Sequence, residues 1–167
     1  MVGALVIGVP LGILCAIFLA NFGSNRVAKV AKAGVQLLAG IPSVVYGFFG
    51  LVVLVPFIRA NLGGTGQSVL CASIVLGIMI LPTIITLSES ALKAVPQTYY
   101  EGALALGADH ERSVLRVVLP AAVSGIMASI ILAIGRAIGE TMAVIMVAGN
   151  QVQLPGAITE GVRTMTA

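Results

Sequence analysis

The sequence predicts an all-α, polytopic integral membrane bundle of about four transmembrane helices, and three observations carry that prediction. Hydrophobic residues make up 59% of the 167-residue chain, charged residues only 9%, and the mean hydropathy is +1.12. An ordinary soluble domain carries roughly 25% charge, and a chain of this length could not hide so much apolar surface in a core of its own. The apolar residues also fall into runs long enough to cross a bilayer, which takes about 20 residues. Finally, one polar stretch, Tyr99 to Pro120, lies between two such runs and gathers Glu101, Asp109, His110, Glu111, Arg112 and Arg116.

Taken in order, Val2 to Ala20 is free of charge and reads as the first span. A signal peptide would carry its basic residues before the apolar core, whereas here they follow it. Pro10 is tolerable within the span, because neighbouring helices can satisfy the carbonyl it frees. Asn21 to Lys32 carries Arg26, Lys29 and Lys32 and no acid, so it reads as a loop on the cytoplasmic side. Ala33 to Ile58 is the second span. Its Ala39-Gly40-Ile41-Pro42-Ser43 segment predicts a kink, and Gly47 and Gly50 predict close helix packing. Arg59 to Gln67 is a glycine-rich external turn, and Ser68 to Leu87 a third span interrupted by Pro82. Ser88 to Ala94 reads as a polar exit. From Val117 to Gly149 the chain is apolar again, too long for one upright span, so a tilted helix or a break near Gly135 and Gly139 is expected. Asn150 to Ala167 reads as an external surface segment.

Between the third span and the last apolar run, the spacing predicts an elbow. Pro96 suits the first turn of a helix, Gln97 to Leu106 forms it, and Gly107 supplies a left-handed terminator. Asp109 then suits the N-cap of a second helix through Arg116. With the elbow inside, the inner segments hold Arg26, Lys29, Lys32, Lys93, Arg112 and Arg116, and the outer ones only Arg59 and Arg163. That asymmetry obeys the positive-inside rule.

Several functions are excluded. No basic patch is interleaved with exposed aromatics, so nucleic acid is not a partner. There is no Cys/His cluster for a metal, and Cys15 and Cys71 sit in apolar runs as free thiols. No phosphate-cradling loop ends in Lys-Ser/Thr, so the chain has no nucleotide site of its own. Glu101, His110 and Glu111 lack the spacing of a zinc hydrolase, and Ser43, Ser68 and Ser73 have no nearby His or Lys partner. An intramembrane enzyme is therefore disfavoured. An ion-coupled secondary transporter would leave the elbow unexplained.

Glu101-Gly102-Ala103, three residues, Gly107, nine residues and Val117-Val118-Leu119-Pro120 together resemble the EAA loop of ABC-importer permease subunits. Gly102 stands where alanine is usual and Val117 where isoleucine is usual; a small and a β-branched residue are kept. The resemblance implies a type I ABC-importer permease whose loop docks on a separate ATPase through Glu101, Gly102, Ala103, Gly107, Leu119 and Pro120. ATP and magnesium would be bound by that partner and no cofactor by this chain. The partners implied are an ATPase dimer, a second homologous permease subunit, an extracytoplasmic binding protein and membrane lipid.

Arg136 and Glu140 are embedded in the last apolar run. Four residues apart on a helix, they are expected to share a face and pair. At 1.5 Å per residue, Arg136 lies about 24 Å beyond Pro120, within or near the outer part of the hydrocarbon region. An ionisable group there usually faces a cavity or pathway, and a guanidinium offers an oxyanion a two-pronged donor. A structural ion pair is the alternative. Arg136-Ala137-Ile138-Gly139-Glu140-Thr141-Met142-Ala143-Val144, with Met146 to Asn150, Val162-Arg163-Thr164 and Gly40 to Ser43, resembles phosphate-importer permeases of the PstC type. Sulfate and molybdate permeases share Arg-x-x-Gly-Glu but continue differently. The resemblance thus implies a phosphate pathway through Arg136, Glu140 and Thr141, with another oxyanion as the alternative. Such subunits typically have six spans, so residues 1–167 are expected to form one incomplete permease domain, a fragment or a mis-called start, with its coupling elbow at 88–116.

Overall fold

Proline and glycine decide where this chain turns. The computed structural model describes residues 1–62 and 66–149, and its regular elements are helices: α1 (Val2–Ile17), α2 (Asn25–Gly40), α3 (Ser43–Phe49), α4 (Val55–Leu62), α5 (Val69–Lys93), α6 (Gln97–Ala105), α7 (His110–Ser113), α8 (Leu119–Ala121), α9 (Val123–Ile138) and α10 (Met142–Ala148). π-helical turns at Phe18–Phe22, Gly50–Leu54 and Val114–Val118 extend α1, join α3 to α4 and join α7 to α8. Three segments are long and apolar enough to span a bilayer: Val2–Phe22, Ser43–Asn61 and Val69–Lys93. A fourth arises if His110–Ala121 and Val123–Ile138, which meet at 65°, form one bent span. The multi-span helical architecture is as the sequence predicts.

The boundaries differ at several places, and the helix expected to end at Ile58 runs on to Leu62. The basic segment expected as a loop is the start of helix α2, whose N-cap Ser24 Oγ accepts the Val27 amide at 3.5 Å. The second span accordingly begins at Ser43 rather than Ala33. Ile41, preceding a proline, is extended at φ −74°, ψ 128°, so the Gly40–Ser43 segment ends one helix and starts another instead of kinking it. Tyr46 reaches back across this break and its hydroxyl donates to the Leu38 carbonyl at 2.7 Å, satisfying one of the acceptors left at the end of α2.

Pro82 does not interrupt the third span, nor does the chain leave the helix at Ser88. α5 runs unbroken for 25 residues to Lys93. The polar residues expected as an exit stay helical because each polar group finds a partner: Ser88 Oγ meets Ser129 Oγ at 2.8 Å, and Glu89 meets two lysines. The elbow therefore starts at Pro96, not at residue 88. In the last apolar run the expected break falls at Gly139 to Thr141, while Gly135 stays inside α9. The 65° bend at Ala122 follows Pro120, which has no N–H to donate to the preceding turn. Residues 150–167, and with them Arg163, lie outside the described residues.

α5 is the centre. On α1, Ala4, Gly8, Gly12 and Ala16 recur at every fourth residue, all buried, and face it. A Cβ at Gly8 would stand 2.9 Å from the Ile80 side chain and 3.2 Å from the Gly77 carbonyl oxygen; at Gly12 it would stand 2.7 Å from Ile84 Cγ2. α9 packs on α5 through a second stripe with the same spacing, Gly125, Ser129, Ala133 and Ala137, and Ala133 and Ala137 share a cluster with Ile80 and Ile84. Gly125 leaves no room for a Cβ beside Ala91. Small residues let helix backbones approach closely, and dispersion contacts then replace the hydrophobic drive that lipid does not supply. Gly47 and Gly50 do the same for α10: a Cβ at Gly47 would sit 2.8 Å from Ala143 Cα, and one at Gly50 would sit 2.7 Å from the Val147 side chain. Their packing role is as expected.

This packing makes a paired prediction. Gly8→Leu should destabilise the bundle by about 1–3 kcal/mol through overpacking, read as a lower thermal unfolding midpoint in detergent. Gly34→Leu on α2, where a Cβ would meet nothing within 4 Å, should leave that midpoint unchanged.

Candidate functional site

Two places carry polar chemistry, and α9 connects them. The first is the elbow. α6 ends at a glycine in the left-handed region, Gly107 with φ +83°, as the sequence requires. The Gly107 amide bonds the Leu104 carbonyl at 2.9 Å and the Ala108 amide the Ala103 carbonyl at 3.1 Å, closing the helix end. Asp109 has the extended backbone of an N-cap, but its side chain makes no capping bond; Ser113 Oγ instead donates to its carbonyl at 2.9 Å.

Between the two arms of the elbow lies an open groove of about 500 Å³, lined by Thr98, Tyr99, Gly102, Ala103, Leu106, Arg112, Arg116 and Val117 among others. Leu106 is 91% exposed at its rim, an apolar side chain offered almost entirely outward. Of the residues the sequence singled out, Gly102 and Ala103 line this groove, and Glu101 is exposed on the same helix. Leu119 does not join them. It packs on the core cluster of Ala16, Ile17, Leu92, Val114, Val118, Ala122 and Ile126, while Pro120 sits beside the bend. Leu106, Arg112 and Arg116 were not picked out as groove residues. Their spacing on two separate helices gives no sign that they meet.

The elbow is mounted by His110. Its Nδ1 lies 2.7 Å from the Tyr100 hydroxyl and its Nε2 lies 3.2 Å from the Asn21 carbonyl oxygen. A neutral imidazole protonated at Nε2 satisfies both, accepting from tyrosine and donating to the carbonyl. Phe22 and Tyr100 meet the ring edge-on, with centroids 5.0 and 5.6 Å away. One side chain thus ties α6 and α7 to the end of the first span. Beside it, buried Glu89 takes Lys32 Nζ at 3.2 Å and Lys93 Nζ at 2.6 Å on the same carboxylate oxygen, locking α2 to α5. Only the carboxylate is buried; both lysines are about half exposed, and the loss of either leaves the other on the same oxygen.

The second place is the end of α9. The expected pairing of Arg136 with Glu140 is not made. The helix stops at Ile138, and Glu140 Oε1 accepts the Ala143 amide at 3.1 Å, capping α10. The four-residue spacing counts only while the helix continues, and it does not. Arg136 Nη1 instead donates to Thr83 Oγ1 on α5 at 3.3 Å. Thr83 is about 21 Å from the Val69 end of α5 and about 15 Å from the Lys93 end at helical rise. The guanidinium therefore sits level with the middle of the longest span, deeper than the outer edge. Among the described residues no carboxylate pairs with it. Placing an arginine at mid-membrane costs about 2.5–3.5 kcal/mol on insertion scales, and a hydrogen bond to a charged group returns about 1.5–3 kcal/mol. Thr83 offsets part of the cost and leaves a cation with donors to spare. Thr141, at the N-cap of α10, makes no side-chain capping bond.

A family model described as the binding-protein-dependent transport system inner membrane component matches residues 8–166. The chain belongs to that family. It is accordingly a multi-pass permease chain of the cytoplasmic membrane. Among individual relatives, a probable ABC transporter permease protein, YqgH of Bacillus subtilis, is 45% identical over 161 residues, covering 96% of this chain and 52% of the relative. The phosphate transport system permease protein PstC of Mesorhizobium japonicum is 36% identical over 184 residues, covering 98% and 56%. PstC of Haemophilus influenzae is 35% identical over 175 residues, covering 93% and 56%. The permease chain thus spans about half the length of the curated relatives it matches.

The mount can be tested directly. His110→Ala should speed hydrogen exchange of the amides from Leu106 to Ser113 roughly five- to hundredfold, as expected for the loss of about 1–3 kcal/mol of local bonding. Exchange in the middle of α5 should not change, and mass spectrometry of the detergent-solubilised protein would separate the two regions.

Proposed function

We propose that this chain forms part of the membrane passage of an ATP-binding-cassette importer for inorganic phosphate. A separate ATPase dimer, carrying ATP and magnesium, docks on the groove between α6 and α7. A second homologous permease subunit completes the passage, and an extracytoplasmic phosphate-binding protein delivers the substrate. The chain itself is a transport subunit and carries no catalytic site.

The single observation that supports this reading most is continuity. The docking groove is built on α6 and α7, α7 leads through α8 into α9, and α9 carries Arg136 to mid-span. A push on Glu101, Gly102, Ala103 and Gly107 is thereby delivered to the helix that holds the guanidinium, with the Leu119–Pro120 bend as the joint. An oxyanion suits a guanidinium that no carboxylate among the described residues neutralises, since the fork donates two parallel hydrogen bonds to adjacent oxygens. Glu140 and Thr141 border the path at the break between α9 and α10. Glu140 shapes it by fixing that break rather than by holding Arg136 between passages.

Phosphate is favoured by the resemblance of Arg136 to Val144 to phosphate permeases and by the names of the PstC relatives. The name of the Bacillus relative gives no substrate, and sulfate or molybdate would meet the same guanidinium. Those oxyanions are the second reading.

Two variants and one comparison test the proposal. Proline locks φ near −65° and cannot adopt the +83° of Gly107, so Gly107→Pro should abolish co-purification of the ATPase while membrane insertion persists. Retained association would remove the elbow from docking. Arg136→Gln should stop uptake without dissociating the complex; dissociation would instead make the arginine a structural element. Labelled phosphate, sulfate and molybdate supplied to a reconstituted transporter containing the full-length subunit should show phosphate uptake alone. Equal uptake of all three would favour the broader oxyanion reading.

A further inference from the structure

Thr83 differs from the hydroxyl residues that follow it on α5. Thr86 Oγ1 donates to the Pro82 carbonyl at 2.8 Å, Ser90 Oγ to the Thr86 carbonyl at 2.9 Å, and Ser88 Oγ bonds Ser129 Oγ at 2.8 Å. Each is engaged within the bundle. Thr83 Oγ1 accepts from Arg136 Nη1 at 3.3 Å, and among the described residues its own proton has no acceptor. Arg136 in turn donates one of its five N–H groups to Thr83 and, among the described residues, has no carboxylate partner.

The couple therefore presents mainly donors outward: the remaining guanidinium N–H groups and one hydroxyl proton, against a single spare lone pair on Thr83. It is also incompletely covered, with Arg136 exposed and Thr83 half-buried. A cation or a neutral acceptor-poor solute finds little to bind there. An anion with several oxygens does, because each donor can meet a different oxygen. The two residues come from α5 and α9, the helices held together by the Gly125–Ala137 stripe and the Ser88–Ser129 bond, so their spacing is fixed by packing.

We propose that Thr83 is part of the oxyanion path. Its oxygen fixes the orientation of the Arg136 fork, and its proton is donated to an oxygen of the passing anion. This rests on the reading of Arg136 as the residue that carries the anion. It adds a second, neutral donor from a different helix, and it replaces Glu140, which caps α10, as the group that holds the guanidinium in place.

The test uses the whole transporter, reconstituted in vesicles with its ATPase, companion permease subunit and binding protein, and labelled inorganic phosphate as the probe. Thr83→Val keeps the β-branched shape and deletes the hydroxyl, whereas Thr83→Ser keeps the hydroxyl and deletes the methyl. Losing a hydrogen bond to a charged group corresponds to about tenfold or more, so Thr83→Val should lower phosphate uptake by at least that factor at unchanged yield of assembled complex. Thr83→Ser should transport near the wild-type rate. Wild-type uptake by Thr83→Val, or a serine variant as impaired as the valine one, would overturn the proposal. Arg136→Gln separates the two levels. If it still transports, the anion path through Arg136 is wrong; if it stops uptake while Thr83→Val does not, only the role of Thr83 falls.

Discussion

The close approach of α1 and α9 to α5 is the constraint on which the rest depends. In lipid, apolar side chains gain little from leaving their solvent, so helices associate where backbones can come near enough for dense dispersion contacts. Two stripes of small residues, Ala4-Gly8-Gly12-Ala16 and Gly125-Ser129-Ala133-Ala137, make that possible for two neighbours of one helix. Packed against both, α5 runs unbroken past Pro82, and its polar end stays helical through Lys93. Everything with chemical character is hung from this core.

The elbow is one such attachment. Its two short helices would be marginal on their own, since a nucleus of helix is costly and α7 has only four residues. They hold their angle because Gly107 turns the chain and His110 ties both arms to the end of the first span. Val114 and Val118 anchor the far side in the cluster that contains Ala16, Ile17 and Leu92. A force on the groove is consequently shared between α1, through Asn21 and Phe22, and α9, through the bend at Ala122. The first of these routes depends on a side chain whose partners are 10 and 89 residues away in sequence.

The charges of the described bundle fall into two kinds. Glu89 is buried and answered by two ammonium groups, an arrangement that fixes geometry and leaves nothing over. Arg136 is answered by a single hydroxyl and keeps its charge. The contrast separates a structural charge from one available to a ligand more clearly than position in the membrane does. Tyr46 and Glu140 mark the two helix breaks, at Gly40–Ser43 and Gly139–Thr141, and each closes a helix end there.

The sequence by itself determined the class, the multi-span character and the turn of the elbow at Gly107, because these follow from local rules. Apolar run length sets spans, Gly107 sets the left-handed turn, and Pro42 sets where α3 can begin. It also held the small-residue stripes at every fourth position, legible once the run is known to be helical. Helix ends were harder: a basic stretch such as Asn25 to Lys32 reads as loop until Ser24 is seen capping it, and Ser88 to Lys93 reads as an exit until their partners are seen. Only the tertiary structure decided which polar groups meet. Arg136 and Glu140 were near in sequence and would have paired on a continuous helix, but the break at Gly139 sends the carboxylate to α10 and leaves the guanidinium to Thr83, 53 residues away. Hydrogen bonding is short-ranged and directional, so a change in backbone direction at one residue is enough to reassign both partners.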